Sequence, residues 1–87
     1  MNSLIGQYID KLTIDNINDF GTKNNIFLSK KELEVLFDIV KNHYEEVLYQ
    51  DDSIAKKRLK ENLTADNYQK IITMYEKYRQ EYGRYLL

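Results

Sequence analysis

Residues 29–48 read SKKELEVLFDIVKNHYEEVL, and this stretch decides the fold class. Ser29 and Glu32 form an S-x-x-E pair, in which each side chain can bond the other residue's backbone N–H at the start of a helix. Behind that box the apolar positions are Leu33, Val35, Leu36, Phe37, Ile39, Val40, Tyr44, Val47 and Leu48. At 100° per residue they cover about 220° of arc, against roughly 100° for an ordinary surface helix. Only Glu34, Asp38, Lys41, Asn42 and Glu45 make a narrow wet strip. The pattern predicts a central helix over Leu33 to Leu48, buried on two sides.

Upstream, Leu4, Ile5, Tyr8, Ile9 and Leu12 share about 140° of one face, which predicts a short amphipathic helix. Thr13 is placed as the N-cap of a second helix, with Asp15 near its positive end. Ile14, Ile17 and Phe20 follow, and Gly21 is the expected left-handed residue that stops this helix. Residues 21–28 (GTKNNIFL) then read as a loop whose apolar end, Ile26 to Leu28, can tuck into the core. Downstream, Asp51, Asp52 and Ser53 offer caps for a helix from Ile54 to about Asn62. Thr64 caps a last helix of about 20 residues, with Asp66 in its first turn. Nothing interrupts these segments, since the chain has no proline and only three glycines.

The size of the chain limits what these helices can build. Eighty-seven residues with 13 basic and 14 acidic side chains predict one small soluble domain, spanning 1–87. A chain this short has a thin core, and association with another protein is a natural complement to it. The absence of cysteine excludes disulfides, thiolate metal sites and a thiol nucleophile. No apolar run approaches the ~20 residues of a membrane span. Residues 1–12 carry Asp10 and lack a basic lead and a cleavage site, so no signal peptide is expected. The expected compartment is cytoplasmic.

Candidate chemistry is sparse. His43 is the sole histidine, and one imidazole with Glu46 a turn away falls short of a metal site. Residues 15–26 resemble a calcium loop only superficially, because Ile17 and Ile26 stand where the third and twelfth ligands belong. Gly6, Gly21 and Gly83 stand alone, so no phosphate-cradling loop exists. A helix-turn-helix reading of residues 13–42 fails on its long link and on the acidic strip of its second helix, which repels phosphate. The expectation is a protein without catalytic residues, cofactor or metal.

Two surface features remain. Tyr68, Ile71, Tyr75, Tyr78, Tyr82 and Tyr85 are spaced 3, 4, 3, 4, 3 along the last helix. Its first half is expected to pack on the central helix. The second half is expected to outrun a central helix of about 16 residues, roughly 24 Å. Tyr78, Tyr82, Tyr85 and Leu86, with Arg79 and Arg84 at the rim, are therefore the candidate partner-binding face, as tyrosine and arginine are enriched at interface anchors. The alternative occupant of that face is the chain's own first helix. The second feature is charge asymmetry: residues 1–53 carry net −5 and residues 54–87 net +4. Lys56, Lys57 and Lys60 share one face with Arg58 close by, the candidate footprint for nucleic acid or the ribosome.

The segment from Leu12 to Leu48 opens LTIDNINDFGTKNNIFLSKKELEVL: a capped short helix, an aromatic near a turn, an Ile-x-Leu-Ser loop and a long apolar helix. In this it resembles the YqfT-like family of small uncharacterised proteins from low-GC Gram-positive bacteria. The resemblance covers under half the chain and leaves out the tyrosine-rich end. It implies a helical bacterial cytoplasmic protein and transfers no functional residues. Taken together, the residues predict an all-α bundle of about five helices that acts through protein–protein contact, by self-association or as an adaptor or regulator. Nucleic-acid binding is the runner-up.

Overall fold

The computed structural model describes the chain over residues 4–83, with side chains at 6–47 and 50–81. Within that span lie five α-helices and no strand: α1 (Leu4–Asp10), α2 (Ile14–Lys23), α3 (Lys30–Tyr49), α4 (Ser53–Asn62) and α5 (Ala65–Gly83). The expected all-α bundle is what forms. Helix α3 is its axis and packs against each of the other four. That accounts for an apolar arc too wide for a surface helix. Leu36 and Ile39 of α3 meet Ile17, Ile26, Leu59, Leu63, Ile71 and Ile72 in one core. Each such side chain contributes about 1.5–3 kcal/mol by leaving water.

The capping box forms as the spacing predicts. Ser29 N–H donates to Glu32 Oε1 at 2.9 Å, and Glu32 N–H donates to Ser29 Oγ at 3.2 Å. It starts α3 at Lys30, so the helix is 20 residues long. The expected length of about 16 residues for the central helix is corrected here, and with it the premise for an overhang of the last helix, since α5 is described over 19 residues, to Gly83. The apolar stripe alone understated α3, since its polar first turn and Tyr49 are also helical. At His43 the backbone leaves helical geometry (φ −130°, ψ 19°), which kinks α3.

Glu32 does more than cap. Its side chain is only 5% exposed. Besides Ser29, its carboxylate accepts from Thr64 N–H at 3.0 Å and from Asn67 Nδ2 at 3.2 Å on both oxygens. Asn67 Nδ2 also donates to the Phe27 carbonyl at 3.0 Å, and Asn67 N–H donates to Thr64 Oγ1 at 3.2 Å. One carboxylate thus joins the beginnings of α3 and α5. Burial alone would raise its pKa. The Ser29 and Thr64 N–H groups, the Asn67 amide and the Ser29 hydroxyl outweigh burial and hold it below the usual carboxylate range.

The end of α2 departs from expectation. Gly21 is a buried residue inside the helix, which continues to Lys23. The left-handed residue is Asn25, at φ 60°. Ile26 N–H donates to Gly21 O at 2.7 Å and Asn25 N–H to Thr22 O at 3.1 Å, which is a Schellman closure with asparagine in place of glycine. Asparagine tolerates this backbone better than other side-chain-bearing residues. Gly21 is needed for a different reason. A Cβ there would lie 2.7 Å from the Ile26 carbonyl oxygen. Gly21→Ala is therefore expected to lose about 1–2 kcal/mol in a urea titration, although alanine ordinarily gains up to about 1 kcal/mol over glycine inside a helix.

Candidate functional site

Helices α1, α2 and α5 stand around Leu36 and Val40 of α3 and leave an apolar groove of about 290 Å³ between them. Tyr8, Ile9 and Leu12 form one wall, and Ile71, Met74, Tyr75 and Tyr78 of α5 form the other. Asn16, Ile17 and Phe20 of α2 close one side, with Leu36 and Val40 of α3 at the floor. Three aromatic rings remain open to water: Tyr8 is 69% exposed, Phe20 41% and Tyr78 37%. Phe20 and Tyr78 meet as a tilted pair with centroids 6.3 Å apart. Part of the predicted tyrosine face is thus covered from within the chain, by α2 at Tyr78. Arg84, Tyr85, Leu86 and the side chain of Tyr82 lie outside the described residues.

The α1 wall is held in place by a lysine. Lys41 Nζ donates to the carbonyls of Ile9 at 2.9 Å, Asp10 at 2.6 Å and Leu12 at 3.3 Å. The cation sits at the negative end of α1, where it adds a second donor to the Ile9 carbonyl, which also accepts from Leu12 N–H at 3.0 Å. Nothing in the local pattern of α3 announces this role, because the acceptors lie about thirty residues upstream.

Arg79 belongs to an internal network. Its guanidinium donates to Asp52 Oδ2 and, at 3.0 Å, to the Tyr75 hydroxyl. The Tyr75 hydroxyl stands 2.6 Å from Asp52 Oδ2 and 2.7 Å from the Val47 carbonyl, as donor to either. Lys56 adds an ion pair to Asp52 at 3.5 Å. Burial would raise the Asp52 pKa, but the Tyr75 hydroxyl, Lys56 and Arg79 together hold it low. Burial beside the Asp52 carboxylate pushes the Tyr75 phenol up to about 12. Together these bonds fasten the α3–α4 link to α5.

The predicted basic face is divided. Besides Asp52, Lys56 reaches Glu76 at 4.0 Å, and Arg58 Nη1 bonds Asp38 Oδ2 at 2.9 Å. The Asn42 amide and Arg58 hold Asp38 below its ordinary pKa. Lys57 is largely exposed, with Glu61 at 4.0 Å. Lys60 is also exposed and has no ion pair among the described residues. His43 lies 3.6 Å from Glu46 and 3.9 Å from Asp38, at the kink. Among the described residues no three His, Cys, Asp or Glu side chains gather as a metal site. No described helix is long and apolar enough to cross a membrane. The chain matches no family model, no curated protein and no solved structure, so the groove is interpreted from its own chemistry.

Proposed function

We propose that this protein is a non-enzymatic helical module that works by protein–protein contact, with the groove between α1, α2 and α5 as its docking face. One observation carries the reading: Tyr8, Phe20 and Tyr78, from three different helices, converge half-open on the same unfilled apolar space. Aromatic side chains offer a large apolar contact at little conformational cost, and they dominate interface energetics. The C-terminal tyrosines predicted as anchors, Tyr82 and Tyr85, continue the sequence spacing of Tyr75 and Tyr78, but Tyr85 and the side chain of Tyr82 lie outside the described residues. The nucleic-acid alternative has weaker support, because Lys56 and Arg58 direct their charge to Asp52, Glu76 and Asp38.

Tyr8→Ser and Phe20→Ser test the reading. Tyr8→Ser is expected to change folding stability by no more than about 0.5 kcal/mol. Phe20→Ser also gives up the ring pair with Tyr78, about 1 kcal/mol. Each is expected to weaken association about 30-fold, the loss of one interface anchor. Light scattering measures association with a second copy. Affinity capture at low and high salt, followed by titration of the captured protein, measures a different partner. Contact through an apolar face should survive 1 M salt, which screens exposed charges beyond about 3 Å. A monomer whose captured partners ignore both substitutions, or dissociate in salt, would remove the proposal.

A further inference from the structure

We draw no further inference here: the strongest candidate, the exposed ring of Phe27 on the α2–α3 loop, flanked in sequence by Lys23, Lys30 and Lys31, carries none, because Asp19, Glu32 and Glu34 offset those lysines and nothing in the structure shows what covers the ring.

Discussion

Glu32→Ala is expected to cost about 3 kcal/mol of unfolding free energy, a large share of the 5–15 kcal/mol that holds most domains together. The substitution removes the acceptor for Ser29 N–H, Thr64 N–H and the Asn67 amide in one step. Each donor left without a partner costs about 1–3 kcal/mol if buried. Ser29 and Thr64 are exposed enough for water to offset part of that loss, while Asn67 is buried. Glu32→Gln should be milder, about 1–2 kcal/mol, since one oxygen remains but an NH₂ now faces donors. The same carboxylate sets a pH dependence. Its folded pKa lies below the unfolded one, so its stabilisation is present above the unfolded pKa and disappears as pH falls through the folded value. Asp38 and Asp52 shift in the same direction. Urea midpoints should therefore be flat near neutrality and fall below about pH 4–5, less steeply in Glu32→Gln than in wild type. A midpoint that rises on acidification would contradict the whole arrangement.

Ile26→Ala is the second large loss, about 3–4 kcal/mol, and it comes from a loop. Ile26 is 2% exposed, the most deeply buried large side chain among the described residues. Its N–H closes the end of α2 on Gly21, while its side chain enters the core that α3 organises. The adjacent Phe27 is 69% exposed. Phe27→Ala should therefore change stability by about 0.5 kcal/mol or less, although it deletes the larger side chain. Denaturant titration of the two variants side by side checks the contrast, and equal losses would mean that the loop is seated differently.

How far the sequence discloses this architecture depends on the range of each interaction. The Ser29–Glu32 box, the Thr13 cap and the Thr64 cap all form, because each acts within one helical turn. The width of the apolar arc on α3 anticipates a helix surrounded on several sides. Gly21 misleads because glycine serves both as a left-handed terminator and as a site of close backbone approach, and local pattern does not separate the two. The structure uses the second property and gives the left-handed position to Asn25. Glu32 is legible as a cap, but its reach to Thr64 and Asn67 is not, since those partners are 32 and 35 residues away. The same distance hides the Lys41 clasp and the commitment of Arg79 to Asp52. The groove itself was half legible: the stripe containing Tyr78 was visible, whereas the approach of Tyr8 and Phe20 required the bundle to be assembled.

The clasp on α1 has a consequence for variation. Peptide oxygens are common to every amino acid, so the ammonium group of Lys41 takes hold of a handle that no side-chain replacement at Asp10 erases. The hold is therefore largely indifferent to spelling, and among the described residues of this segment the buried Gly6 and Ile9 and the half-buried Leu12 constrain what suits the surface beneath. Exposed positions such as Tyr8 and Asp10 could be respelled and the segment would still be gripped, like a cassette clipped to a fixed chassis by its casing.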